Sequence, residues 1–312
     1  MRLGLDTFGG DFAPDSTILG AIEARRELPG TVDIVLIGNE KASREKILSE
    51  GENPDDFEFI HTTDFIEMGE HPAKAFKSKP KSSTGLGFHY LKKGELDSFA
   101  SAGNSGAMMV GSMFTIQAIP GVIRPSVTSA IPCPDGSMNI LLDVGINADC
   151  KPDVLYQFGI LGSIYAKEVF AIENPKVGLL SMGEEEEKGT MQVQAAHQLM
   201  KDSQDFNFFG NVEGRDLFSG EVDVIVTDGF TGNVMLKEAE AFYAMIKKRG
   251  IDDAFFNRLN YEIYGGTPVL GVNGNVIIGH GISSARAIKN MILHSLDVSK
   301  AQLAEKIKNA FQ

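Results

Sequence analysis

The sequence predicts an α/β protein with a largely parallel sheet, and three observations carry that expectation. Short β-rich apolar runs recur at residues 32–37, 140–142, 177–180, 222–226 and 276–278. Helical patterns alternate with them, as in repeated βα units. Most of the runs lead into loops rich in glycine, amides and charge, and loops at the carboxyl ends of parallel strands converge on one crevice.

Taken in chain order, Arg2-Leu-Gly-Leu-Asp6 opens directly as a strand. It has no signal-peptide pattern, and no apolar run is long enough to span a bilayer, so a cytoplasmic protein is expected. After the first glycine loop, Leu5-Asp6-Thr-Phe-Gly9-Gly10-Asp11, residues 17–28 read as a helix with Ile18, Leu19, Ile22 and Leu28 apolar and Ser16 as its cap.

Asp97-Ser-Phe-Ala-Ser101 reads as a strand, Ser101-Ala-Gly-Asn-Ser-Gly-Ala107 as a turn, and the apolar run from Met108 to Ile116 as a buried helix. Gly103 and Gly106 permit close backbone approach, and Asn104 and Ser105 add side-chain donors. Free amides and the helix dipole then favour an anion. A tight turn with small residues for packing has the same pattern. Residues 156–170 form a mostly apolar helix, buried on more than one side.

Residues 192–201 form the helix reached through the acidic loop Ser181-Met-Gly183-Glu-Glu-Glu-Glu-Lys188-Gly189. The run 222–226 leads into Asp228-Gly-Phe-Thr-Gly232-Asn233. A helix over 238–248, a break at Gly250 and a second helix over 252–261 follow. From Ala285 a final helix carries Ile288, Ile292 and Leu296 on one stripe.

At 312 residues and 43% hydrophobic content the chain can bury a full core. No linker, low-complexity run or repeat divides it, and one domain over residues 1–312 is expected. Cys133 and Cys150 make no disulfide framework. A formal charge of −13 argues against nucleic acid as a partner.

Read together, the loops resemble one family, the PlsX-type phosphate acyltransferases of bacterial phospholipid synthesis. The family start Asp-Ala-Met-Gly-Gly-Asp is matched by Asp6-Thr-Phe-Gly-Gly-Asp11, and Ser-Ala-Gly-Asn-Thr-Gly-Ala by the segment with Ser105 in place of threonine. Gly183 to Gly189, Asn211 to Asp216 and Asp228 to Val234 match three further motifs, and the resemblance runs from about residue 2 to about residue 290. It implies a three-layer α/β/α sandwich like that of isocitrate and isopropylmalate dehydrogenases, assembled as a homodimer. It implies transfer of a long-chain fatty acyl group from acyl carrier protein to inorganic phosphate, without a cofactor or metal. The acyl phosphate would pass to a membrane glycerol-3-phosphate acyltransferase. The segment at about 238–262 is shorter here than the family's helical hairpin, which makes peripheral contact with a membrane an open expectation.

Phosphate attack on a thioester needs a held dianion and donors for the carbonyl oxygen as it becomes an oxyanion. The thiolate leaves with little acid help. The chain has no HExxH, no clustered metal-ligand spacing and no GxSxG elbow, in keeping with catalysis by positioning and electrostatics. Lys188 and Asn233 are the expected catalytic residues, the lysine as a point charge and the asparagine as an amide donor. Apart from the resemblance, Lys188 also reads as a paired lysine in a solvated acidic turn, and Asn233 as a helix cap.

Gly103, Asn104, Ser105, Asn147, Gly183, His280, Ser283, Asp6, Gly9 and Gly10 are expected around the substrate, with Asp6 either organising its loop or meeting the pantetheine arm. His280 can protonate the leaving thiolate or bind phosphate, or be structural. Arg215 either holds a phosphate or pairs with local acids. An acidic carrier protein needs a local basic patch, and Lys74, Lys77, Lys79 and Lys81 supply the candidate; a solvated lysine-rich turn has the same composition. Met108, Met109, Met113 and Phe114 can line an acyl channel, or simply pack. The rival readings are a phosphotransacetylase acting on short acyl-CoA, a decarboxylating dehydrogenase, and a non-catalytic regulator that binds carrier protein.

Overall fold

A computed structural model describes residues 1–312. In chain order the strands are β1 (Arg2–Asp6), β2 (Asp33–Gly38), β3 (Glu58–His61), β4 (Ser98–Ser101), β5 (Ser126–Pro132), β6 (Met138–Leu142), β7 (Lys176–Leu180), β8 (Asn207–Val212), β9 (Val224–Val226), β10 (Gly266–Leu270) and β11 (Asn275–Gly279). The helices are α1 (Asp15–Glu27), α2 (Glu40–Ser49), α3 (Pro72–Ser78), α4 (Ser83–Lys92), α5 (Ser105–Gly111), α6 (Pro152–Phe170), α7 (Met191–Met200), α8 (Gly229–Lys248), α9 (Ala254–Asn257), α10 (Ala285–Lys300) and α11 (Leu303–Ala310). Within the span read from the sequence as one domain, the backbone gathers into two compact units. Unit 1 is Met1–Ala118 with Tyr261–Ala304, and unit 2 is Ile119–Asn260 with Glu305–Gln312.

In unit 1 the strand order is β3-β2-β1-β4-β11-β10, with every pairing parallel except β10 against β11. Phe99 of β4 and Val276 of β11 are in register, so their side chains share one face. On that face the Phe99 ring fills the space beside Gly87 of α4. Gly279, three residues beyond Val276, faces the other way, against Met291 of α10. Helices therefore cover both faces. The tight seat of Gly20 of α1 on Ile288 of α10 adds a helix–helix layer on the α10 side.

In unit 2 the order is β5-β6-β9-β7-β8, with only β5 and β6 antiparallel. Leu142 and Val224 meet Gly162 of α6 on one face. Leu141 and Ile225, one residue along each strand, join Ile131, Leu180, Val212, Leu217 and Val222 on the other, under Met235 and Leu236 of α8. This is the layered α/β arrangement with a mostly parallel sheet that the sequence predicts.

Local chemistry places the helix ends. Helix α1 starts two residues before the predicted bound, and Ser16 lies buried inside its first turn rather than capping it. Thr17 Oγ1 instead donates to Thr7 O and Pro14 O, tying the helix to the first loop. Helix α6 enters on Pro152 and stops at Ala171 in the left-handed conformation. Helix α8 begins at Gly229, well before residue 238, because Asp228 caps it by accepting from the Thr231 backbone N–H. The predicted helix over 252–261 shrinks to the single turn α9, capped by Asp253, before a 3-10 turn at Tyr261–Ile263. No helix is long and apolar enough to cross a membrane.

Candidate active site

The predicted site residues divide between the two units. In unit 1 they sit at the carboxyl ends of β1, β4 and β11. The strand order runs outward in both directions from the β1–β4 pair, which is where the crevice of an open α/β sheet forms. There the Asp6 carboxylate is buried and accepts the Phe8 N–H at 3.0 Å, Ser101 Oγ at 2.9 Å and Thr84 Oγ1 at 3.1 Å. Burial, only partly offset by these donors, raises its pKa above the usual carboxylate value. Asp6 thus ties the first loop to β4 and α4. The backbones of Gly9 and Gly103 pack against each other, Gly10 rests on Gly281 O, and Asp11 N–H donates to Gly281 O at 2.7 Å. Three glycine loops are stitched together by these contacts.

Asn104 caps α5 through Oδ1, which accepts the Ala107 N–H at 3.0 Å. Its Nδ2 donates to the carbonyls of Glu67, Met68 and Glu70. The side chain therefore ties the 67–70 loop to the start of α5, and the donor expected at the substrate is used within the protein. Ser105, the next residue, is exposed. His280 is half-buried with its ring 4.7 Å from that of Tyr261, edge to face. Ser283 is buried and its hydroxyl has no partner. Met108 belongs to the core while Met113 and Phe114 face outward, so the methionine run does not form one apolar wall.

Of the candidate carrier-protein patch, Lys74, Lys77 and Lys81 are exposed and form no ion pair. Lys79 differs: it pairs with Glu70 and donates to Phe65 O.

In unit 2 the loops after β6, β7 and β9 emerge from one end of three neighbouring strands, because β9 is parallel to both β6 and β7. Asp143 follows β6, fully buried. Its Oδ1 accepts from Val127 N–H at 3.0 Å and Ser126 Oγ at 3.3 Å, and its Oδ2 from Asn147 N–H at 2.5 Å and Asn147 Nδ2 at 3.0 Å. Burial raises the Asp143 pKa, as at Asp6. Asn147 Nδ2 also donates to Pro125 O at 2.8 Å, and its carbonyl accepts the Gly229 N–H at 2.7 Å. Asn147 joins the β6 and β9 loops, and its amide donors are occupied. No role was read for Asp143 from sequence, although a signal was present: like Asp6 it ends an apolar strand immediately before a glycine loop.

Asn233 is exposed on α8, one turn beyond the cap. Beneath it lies Gly145, at φ +91°, where a Cβ would stand 3.4 Å from Asn233 Oδ1. Lys188 is exposed in the loop before α7, two residues ahead of the cap Thr190. Its aliphatic stem lies against Gly183, where a Cβ would come within 2.7 Å of Lys188 Cγ.

Two of the four glutamates before Lys188 pair with other cations. Glu184 meets Arg215 at 2.7 Å and Glu186 meets Lys201 at 2.6 Å. Asn211 Nδ2 donates to Glu185 O, and Asn211 Oδ1 lies 2.9 Å from His197 Nδ1. This clamp holds the acidic loop on β8 and α7. Lys188 makes no ion pair of its own, whereas Arg215 pairs with both Glu184 and Glu213.

Beside these loops is a cleft of about 570 Å3, walled mainly by apolar side chains from α6, β7, α7 and α8. Sequence reasoning missed it, because its walls come from segments far apart in the chain. Cys150 lines it, and burial, then the charges of Asp143 and Asp228, push its thiol pKa up to about 12. A thiol so held is not a nucleophile at neutral pH.

A family described as fatty acid synthesis protein matches residues 1–306. The chain is 40% identical to a phosphate acyltransferase of Dictyoglomus turgidum over 326 residues, covering 98% of this chain and 96% of that one. It is 41% identical to a phosphate acyltransferase of Endomicrobium trichonymphae, covering 99% and 97%. Among solved structures, a phosphotransacetylase from Streptococcus pyogenes superposes with a TM-score of 0.68 at 19% identity, over 96% of this chain and 94% of that one; this likeness is one of fold. With relatives of this identity matched along their whole length, the chain belongs to the phosphate acyltransferase family, and it is an acyltransferase whose acceptor is phosphate.

Proposed function

We propose that the enzyme takes a long-chain acyl group from the thioester of acyl carrier protein, passes it to inorganic phosphate, and so supplies acyl phosphate to phospholipid synthesis. The observation that carries the catalytic part of this reading is the free ammonium of Lys188, unpaired although four glutamates immediately precede it. A phosphate oxygen attacks the thioester carbonyl carbon. The C–O bond forms as the carbonyl becomes an oxyanion, and collapse of the tetrahedral intermediate breaks the C–S bond to release the thiolate. Lys188 holds the phosphate dianion as a point charge without giving up its proton to it. The Asn233 amide, exposed above Gly145, donates to the carbonyl oxygen, where the charge develops.

Asp6, Asn104, Asp143 and Asn147 act through the backbone, holding the glycine loops in place. Lys74, Lys77 and Lys81 form the patch for the acidic carrier protein. The far end of α8, where Phe242 and Met245 are exposed, is the surface for a second copy of the chain or for peripheral contact with a membrane.

The test is acyl phosphate formation from palmitoyl-acyl carrier protein and phosphate, run beside palmitoyl-CoA and acetyl-CoA. Phosphate-dependent product from the carrier substrate and little from acetyl-CoA supports the reading. Turnover of acetyl-CoA alone moves the protein to short acyl-CoA substrates. No product from any of the three overturns the assignment and favours a regulatory role.

A further inference from the structure

The cleft beside the Lys188 and Asn233 loops has a composition that selects its occupant. Its walls include Leu155 of α6, Leu179 and Leu180 of β7, Val193 of α7, and Phe230 and Met235 of α8. Its volume of about 570 Å3 falls within the ~300–1,000 Å3 typical of small-molecule sites. No lysine, arginine or histidine lines it, and its charged wall residues are Asp149 and Asp228. A phosphate or nucleotide group entering here would meet carboxylates and no cation, whereas a neutral hydrocarbon meets mainly apolar surface and brings no charge against them. The Cys150 thiol stays uncharged, so it adds no charge to the wall.

The cleft also borders the loop that carries Lys188. Ser181, Met182, Gly189 and Thr190 in its wall bracket the segment from Gly183 to Lys188, and Phe230, Thr231 and Met235 come from the helix that carries Asn233. Ser181 contributes a buried hydroxyl with no partner, a donor available to a carbonyl oxygen.

We infer that this cleft receives the neutral acyl chain of the thioester substrate and that Val193, on its α7 wall, helps set the chain length accepted. The inference rests on the acyl-transfer reading and adds the place where the chain binds, separate from phosphate.

The experiment pairs turnover with binding in the full-length protein. kcat/KM is measured for octanoyl and palmitoyl thioesters of carrier protein with wild type, Val193→Phe and Val193→Ala. Binding of Nile red, a neutral polarity-sensitive dye, and its displacement by hexadecanol are measured in the same three proteins. Val193→Phe narrows the cleft and is expected to lower the palmitoyl-to-octanoyl ratio by about tenfold or more, the scale on which a hydrophobic pocket discriminates small changes in size. It should also weaken dye binding. Val193→Ala should leave the ratio at or above that of wild type, which separates narrowing from misfolding. Turnover with a ratio that does not move in Val193→Phe overturns the cleft assignment and leaves the reaction standing. Absence of turnover, with hexadecanol-displaceable dye binding that Val193→Phe weakens, overturns the reaction and leaves the cleft standing.

Discussion

Asp143 accepts both the backbone N–H and the side-chain N–H of Asn147 on one oxygen, at 2.5 and 3.0 Å. Its other oxygen accepts the Val127 N–H. Every amide around it is a donor, so Asp143→Asn would point its own NH2 at an N–H in either orientation. The expected loss is about 1–3 kcal/mol of unfolding free energy, the range for a stranded buried donor. At Asp6 the partners of Oδ2 are the hydroxyls of Thr84 and Ser101, which can rotate and accept. Asp6→Asn should therefore be the milder change. Chemical denaturation of the two variants checks the order, and equal losses would contradict it.

The same buried carboxylate predicts a pH effect with a definite sign. Burial raises the folded-state pKa of Asp6, so the folded protein holds this proton more tightly than the unfolded chain. That contribution to stability is present at acid pH and is lost as pH rises from the unfolded value through the raised folded one. Unfolding free energies of wild type and Asp6→Asn at pH 4 and pH 7 should show the variant gaining relative to wild type as pH rises. A gap that stays constant would mean that Asp6 titrates alike in both states.

Lys188→Ala removes an exposed side chain that bears no ion pair, so circular dichroism and Tm should not change. Turnover should fall by about 10²–10³-fold, as when one preorganised charge-stabilising group is deleted. Arg215→Ala is the contrast. It releases Glu184 and Glu213 beside the Lys188 loop, and its effect on turnover should be smaller, because Arg215 acts only by pairing those acids.

Gly145→Ala places a methyl group where φ is +91° and where Asn233 Oδ1 lies 3.4 Å away. Stability should fall by about 1 kcal/mol or more, since alanine is strained at positive φ. kcat should fall more than Tm alone accounts for, as Asn233 is displaced. A variant with lowered Tm and normal kcat would show that Asn233 has no catalytic part.

Reversing Lys74, Lys77 and Lys81 together to glutamate should raise KM for acyl-carrier protein about tenfold at low salt while leaving KM for phosphate unchanged. The difference should shrink as ionic strength rises. Lys79 is left out because its pairing with Glu70 would confound the result. An unchanged KM for the carrier places the docking surface elsewhere.

The sequence alone determined the α/β class, since apolar runs and helical periods record which faces are buried, and burial is set locally by alternation. It located the loops after β6, β7 and β9, and it marked Lys188 and Asn233 within ordered motifs. What each polar group does was decided by the tertiary structure. Asn104 and Asn147 look like the same kind of loop donor as Asn233, yet both are tied off by carbonyls: Asn104 by those of Glu67, Met68 and Glu70, Asn147 by that of Pro125. Lys188 stands in an acidic run and still makes no ion pair, while Arg215 and Lys201 arrive from other elements to take two of the four glutamates, Glu184 and Glu186. Hydrogen-bond and ion-pair partners are chosen by which strands become neighbours in the sheet. That order is a long-range outcome of packing, and it also draws the walls of one cleft from separate stretches of the chain.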